Sequence, residues 1–197
     1  MSYVAIVLSD FISRYTLPNK NWCDSLIEWF EKYKGPEKKS GEYFSPQGIV
    51  VNKEHKDSTD IVLTVPEYYS HSCFVPVLDF LWECVQKYIK EYDILEGRNF
   101  TIMNQIKFQK YDPPSGGFKF WHYERLGITS PEFLVWMIYL NDVEKGGGTS
   151  FKYYNHTEKP QKGKLILWPA DYTHTHRGEI APDETKYILT GWYGYSE

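Results

Sequence analysis

Cysteine is scarce in this 197-residue chain. Its three thiols, Cys23, Cys73 and Cys84, are odd in number and form no Cys-x-x-Cys pair. That argues against a disulfide framework or a zinc knuckle. No apolar run approaches the roughly 20 residues that a membrane-spanning helix needs. The opening stretch Met1–Asp10 is only briefly apolar and has no basic region before it, unlike a secretory signal. A cytoplasmic, reducing setting is the resulting expectation. Positive charge is not in excess either. The formal net charge is −4, so the composition shows no basic face for a nucleic acid and no sign of a membrane partner. Internal repeats and low-complexity linkers are also missing. One domain over residues 1–197 is expected, long enough to bury a substantial core.

Aromatic residues, by contrast, are plentiful at 18% of the chain, with 17 Tyr, 11 Phe and 7 Trp. They favour strands and lined pockets, which points to a β-rich fold. The pattern changes near residue 100. Before it, Trp22, Leu26, Trp29, Phe30 and Tyr33 recur at helical spacing within 21–33. Val77, Leu78, Leu81, Val85, Tyr88 and Ile89 do the same within 75–92. Short β-branched runs at 49–51 and 60–65 lie between them, and the charged stretch 53–60 reads as a solvated turn. After residue 100 come candidate strands at 101–111, 118–123, 133–140, 165–168 and 186–193, separated by Gly- and Pro-rich turns at 112–117 and 145–148. The expectation is an α+β, mainly β fold. Residues 1–100 form a helical and mixed support, and residues 101–197 a double-sheet core. The stretch 133–140 is apolar at nearly every position, as a strand covered on both faces would be. The N-terminal helices could supply one cover.

Six histidines are present; His55 and His71 read as surface or hydrogen-bonded residues, and His156 as an exposed residue of a polar turn. His122-Tyr123-Glu124 places an imidazole and a carboxylate two positions apart, on one face if the segment is a strand. Such a pair is common by chance. Two histidines and one carboxylate on one side of an ion would leave its other positions open, the arrangement of non-heme iron oxygenases. The second histidine would come from Thr173-His174-Thr175-His176-Arg177-Gly178, where His174 and His176 share a face if the segment is extended. Lys186 follows His176 by ten residues and shares a strand face with Ile188, Thr190 and Trp192. On a solvent face that lysine is unremarkable. In a barrel interior its ammonium needs a partner, and the distal carboxylate of a dicarboxylic co-substrate would be one.

In its second half the sequence resembles the prolyl 4-hydroxylase branch of the Fe(II)- and 2-oxoglutarate-dependent oxygenases. The resemblance runs from about Gln105 to Tyr193. It is carried by Tyr111-Asp-Pro-Pro-Ser-Gly-Gly-Phe118, His122-Tyr-Glu124, Tyr139-Leu-Asn-Asp142, Gly147-Gly-Thr-Ser-Phe151, Lys162-Gly-Lys-Leu-Ile-Leu-Trp168, His176-Arg-Gly178, Lys186 and Trp192. It implies a double-stranded β-helix, or jelly roll, with the N-terminal helices packed against one sheet. His122, Glu124 and His176 would be the metal ligands. His176 is preferred to His174 because of the His-x-Gly match and the interval to Lys186. Lys186 would bind the 5-carboxylate of 2-oxoglutarate, and Tyr139 and Tyr111 would hydrogen-bond that co-substrate. The implied cofactors are Fe(II), 2-oxoglutarate and O2, with ascorbate as a reductant. The implied activity is hydroxylation of a peptidyl proline in a peptide or protein partner, coupled to decarboxylation of 2-oxoglutarate to succinate and CO2. A small-molecule or other non-prolyl substrate, or a catalytically silent jelly-roll binding module, are the competing readings. Glu124 departs from the family, which usually has Asp there. The oxygen donor is the same on a stem one methylene longer, so the departure bears on substrate class and coordination geometry.

Overall fold

The computed structural model describes residues 9–45, 48–125 and 131–195. Most of the N-terminal stretch whose apolar character was weighed above, residues 1–8, lies outside them. The chain opens with strand β1 (Ser13–Thr16) and helix α1 (Asn21–Lys32), whose apolar stripe buries Cys23, Leu26 and Phe30. Short strands β2 (Lys38–Ser40), β3 (Tyr43–Ser45), β4 (Gly48–Val50) and β5 (Lys56–Asp57) lead to β6 (Thr59–Thr64). Thr64 then starts α2 (Val65–Tyr69) through a reciprocal capping box with Glu67. Helix α3 (Val75–Glu91) has Pro76 in its first turn, where no N–H is missed. It buries Val77, Leu78, Leu81, Cys84, Val85 and Tyr88.

The second half supplies β7 (Phe100–Tyr111), β8 (Gly117–Phe118), β9 (Glu132–Tyr139), β10 (Thr149–Phe151), β11 (His156–Glu158), β12 (Lys164–Pro169), β13 (His176–Gly178) and β14 (Lys186–Tyr195). The main sheet has the order β1-β12-β9-β14-β7-β6-β2 and is antiparallel throughout. A smaller sheet, β11-β10-β13, faces it and is extended by an isolated bridge between His122 and His176. The result is a mainly β jelly roll with its helices against one sheet, the fold class expected.

Strand alternation divides the apolar residues between two cores. On β9, Leu134, Trp136 and Ile138 face the core shared with the helices, while Val135, Met137 and Tyr139 face the space between the sheets. Burial on both faces accounts for the unbroken apolar run. On β7, Ile106 and Phe108 face the helices, whereas Tyr111 faces the interior.

Three local expectations need correction. Residues 118–123 are not a strand: β8 ends at Phe118 and only His122 makes a bridge. The chain turns there, because the backbone N–H groups of Glu124 and Arg125 both donate to the carbonyl of Ala170. The stretch 53–60 is not simply a solvated turn. Lys56 and Asp60 are each only 2% exposed, joined by a 2.5 Å ion pair. His156 is exposed but sits on β11 rather than in a turn, 2.7 Å from the Glu158 carboxylate.

Candidate metal centre

His122, Glu124 and His176 converge where the small sheet meets the loop after β8, with one ligand atom of each within 4.8 Å of the others. The bridge positions the two histidines. His122 N–H donates to the His176 carbonyl at 3.0 Å, and His176 N–H returns a bond at 2.9 Å. Glu124 arrives through its backbone bond to Ala170, so the two-residue spacing works without a regular strand.

The imidazoles are oriented by the backbone. Nδ1–H of His122 donates to the Phe120 carbonyl and Nδ1–H of His176 to the His174 carbonyl, both at 2.9 Å. Those bonds fix the tautomer and leave each Nε2 lone pair for a ligand. The Nε2 atoms lie 3.6 Å and 3.4 Å from Glu124 Oε1. His122 stacks on Phe118 at 3.8 Å between centroids, and His176 is walled by Trp168 and Phe151. Burial is the main reason that His122 is held down at about 4, with His176 adding to it against the pull of Glu124. For Glu124 burial pushes upward, but the hydrogen bond with His176 and the surrounding positive field outweigh it and bring the carboxyl to about 2. A neutral His122 imidazole and an ionised Glu124 are the states that metal ligation requires. The donor set therefore fits a divalent iron with open positions.

His174, the other sequence candidate, is not part of this group. It lies in a 3-10 turn at 172–174, where its Nε2–H donates to the Asp10 carbonyl and its Nδ1 meets Thr173 Oγ1, both at 3.0 Å.

Lys186 points into the interior, as its strand parity suggested, and is 2% exposed. Its ammonium donates to the Gly147 carbonyl at 2.9 Å and lies 4.7 Å from the Tyr111 ring centroid. Among the described residues no carboxylate pairs with it. Burial lowers it to about 8, against a weaker upward pull from Glu179. Tyr139, the register partner of Ile188, is buried, but its hydroxyl is directed to Thr149 Oγ1 at 2.6 Å. The Tyr111 hydroxyl donates to Gln109 Oε1 at 3.1 Å.

Gln109 leads to a polar chain that sequence reading missed. Its Nε2 donates to Asp60 Oδ2 at 3.1 Å, and Asp60 holds Lys56. Asp60 and Gln109 are register partners on β6 and β7. The available signal was parity: Gln109 and Lys107 share the face of Tyr111.

Residues 106–194 match the family model of the 2OG-Fe(II) oxygenase superfamily. Over those residues the chain matches the 2OG-Fe(II) oxygenases. Enzymes of this superfamily use Fe(II), 2-oxoglutarate and O2. The chain shares its fold with solved prolyl hydroxylases at low identity. A viral collagen prolyl hydroxylase from Paramecium bursaria Chlorella virus-1, solved with 2OG, is 19% identical with a TM-score of 0.67, covering 93% of this chain and 96% of that one. A Pseudomonas putida prolyl-4-hydroxylase is 13% identical with a TM-score of 0.69, covering 94% and 93%. A Trichoplax adhaerens prolyl hydroxylase, in complex with a hypoxia inducible factor oxygen degradation domain peptide fragment, is 14% identical with a TM-score of 0.73, covering 94% and 84%. No curated protein matches the chain by sequence. No described helix is long and apolar enough to cross a membrane.

Proposed function

We propose that this chain is a 2OG-Fe(II) oxygenase that hydroxylates a peptidyl proline, with His122, Glu124 and His176 holding Fe(II) and Lys186 pairing with the 5-carboxylate of 2-oxoglutarate. The observation that carries the co-substrate reading is Lys186: a fully interior ammonium whose hydrogen bond goes to a neutral carbonyl. A buried charge without a counter-charge is costly, and a dianionic co-substrate removes that cost. Together with the three convergent donors, this speaks against a silent barrel.

Iron, 2-oxoglutarate and O2 together supply the oxidation of a C–H bond while the co-substrate becomes succinate and CO2. The chain's own groups bind and orient. Lys186, held by Gly147 and the face of Tyr111, fixes the distal end of the co-substrate. The carbonyls of Phe120 and His174 keep the imidazoles aimed inward. Phe118, Phe151 and Trp168 pack around them and limit water.

The prolyl substrate rests on likeness of fold to enzymes with that activity, one of them solved with a peptide. A proline-containing peptide library, incubated with Fe(II), 2-oxoglutarate, ascorbate and O2, tests it by mass spectrometry. One added oxygen on proline is expected. Oxygen found only on other residues or on free small molecules would overturn the prolyl reading and leave the oxygenase intact.

A further inference from the structure

Three lysines, Lys56, Lys107 and Lys186, bring cationic heads to the region between the sheets and the β6/β7 edge, and two of them are accounted for. Lys56 is neutralised by Asp60, and Lys186 faces the co-substrate in the reading above. Lys107 has no such role. It lies on β7 in the inward row with Gln109 and Tyr111, with Thr190 on β14 and Val62 on β6 as register partners. Its ammonium sits 4.9 Å from the ring centroid of Trp192. Among the described residues it has no ion pair and no hydrogen bond. Trp192 is 8% exposed, and its indole N–H is buried without a partner. A cation without a contacting counter-charge thus lies over the ring of a tryptophan whose buried N–H has no partner.

The position is close to the metal centre. The charge of Lys107 helps to lower Glu124, after the larger effects of burial and the two histidines. It also opposes the rise of Glu132, which burial and Glu124 together lift to about 7. Neither carboxylate comes within ion-pair distance of it. Glu124 cannot serve as its lasting counter-ion, because a divalent ion held by that carboxylate already offsets the negative charge. Glu132 acts on Lys107 only from beyond ion-pair distance, so the ammonium has no contacting counter-charge among the described residues, and an anion is what complements it.

We infer that Lys107, packed over the Trp192 ring, recognises a carboxylate on the prime substrate next to the C–H bond that is oxidised. This rests on the oxygenase site described above and narrows its substrate class. The carboxylate could belong to an acidic side chain, a peptide C-terminus or a free amino acid; all three offer the same group to an ammonium.

Matched probes differing only in carboxylate against amide separate these sources. The set is a Pro-Glu against a Pro-Gln peptide, a peptide ending in proline against its C-terminal amide, free proline against prolinamide, and the same three pairs built on a non-prolyl residue. Anaerobic calorimetric titration into protein loaded with Fe(II) and 2-oxoglutarate reads binding without turnover. In at least one pair the acid should bind roughly ten- to a hundredfold more tightly than the amide, the range of a charged hydrogen bond. Lys107→Met should erase that preference, and Lys107→Glu should reverse it. Titration of 2-oxoglutarate into each variant checks that the site has folded. Equal binding of acid and amide in every pair, failure of every acidic probe to bind, or a preference that survives Lys107→Glu would overturn the inference. A preference confined to non-prolyl acids would sink the prolyl reading and keep Lys107. Hydroxylation of proline peptides with acid and amide bound alike would do the opposite.

Discussion

Lys186 on β14 and Tyr111 on β7 are register partners, and the ammonium of one lies 4.7 Å from the ring centroid of the other. The ring offers its negative face to the cation, and the Gly147 carbonyl offers one acceptor. Neither supplies a counter-charge. Lys186→Ala should therefore weaken 2-oxoglutarate binding by about a hundredfold to several thousandfold, from roughly 3–5 kcal/mol for unpairing a buried charge at 1.4 kcal/mol per tenfold. Fe(II) affinity should change far less. Lys186→Arg should recover part of the loss, limited by its planar fork. Calorimetric titration of 2-oxoglutarate into metal-loaded wild type and variants decides it, and equal affinities would remove Lys186 from the co-substrate site.

The same lysine predicts a pH dependence. Burial lowers it from 10.5 to about 8 in the protein without co-substrate. The unfolded chain therefore binds more protons than the folded one between those values. Its contribution to stability accordingly rises with pH through that window, and below about 8 the buried charge costs stability. Co-substrate binding has the opposite sign, because the carboxylate needs the ammonium. Affinity for 2-oxoglutarate should be flat below about pH 8 and fall above it by up to tenfold per unit. Titrations across that range should show the decline in wild type and lose it in Lys186→Ala. A flat wild-type profile would contradict the pairing.

Substitutions at the metal centre separate ligands from neighbours. His122→Ala and His176→Ala should each abolish turnover. His174→Ala should retain most of it, since that ring is tied to Asp10 and Thr173. Glu124→Asp should keep some activity and Glu124→Ala should lose coupled hydroxylation. A ligand that binds only the folded state raises its melting temperature. Fe(II) under anaerobic conditions should therefore stabilise wild type and His174→Ala, but not His176→Ala. The reverse result for the two histidines would exchange their roles.

Much of this centre was legible in the chain because period-two alternation survives folding. Lys186, Ile188 and Trp192 do share the inner face, and the two-sided apolar run of β9 does lie between two cores. The His-x-Glu pair is also brought together, although for a different local reason than strand parity. A bridge to His176 and a backbone bond to Ala170 place the two residues. The three-residue strands β10, β11 and β13 are too short to show a period. The choice between His174 and His176 depended on a 3-10 turn that breaks the extended segment. Lys56 and Asp60 were hidden because a charged stretch reads as solvated until β5 pairs with β8 and β6 with β7.

That hidden pair yields a stability prediction. Lys56 and Asp60 are both buried and 2.5 Å apart. Lys56 also donates to the Glu42 carbonyl, while Asp60 Oδ2 accepts from Gln109 as well. Burial lowers the lysine, and Asp60 is the chief influence opposing that. Asp60→Ala would leave the ammonium in the interior without its counter-charge, and Gln109 without an acceptor. A loss of about 3–5 kcal/mol is expected for breaking one side of such a pair. Removing both charges should cost much less, because the desolvation penalty vanishes with them. The double variant Lys56→Met with Asp60→Leu should therefore be more stable than Asp60→Ala alone. Urea midpoints of wild type, Lys56→Met, Asp60→Leu and the double variant measure the coupling directly. Gln109 also receives the Tyr111 hydroxyl, so the double variant is further expected to loosen the ring beneath Lys186 and weaken 2-oxoglutarate binding modestly. Additive single and double effects would show that the ion pair contributes nothing beyond its separate residues.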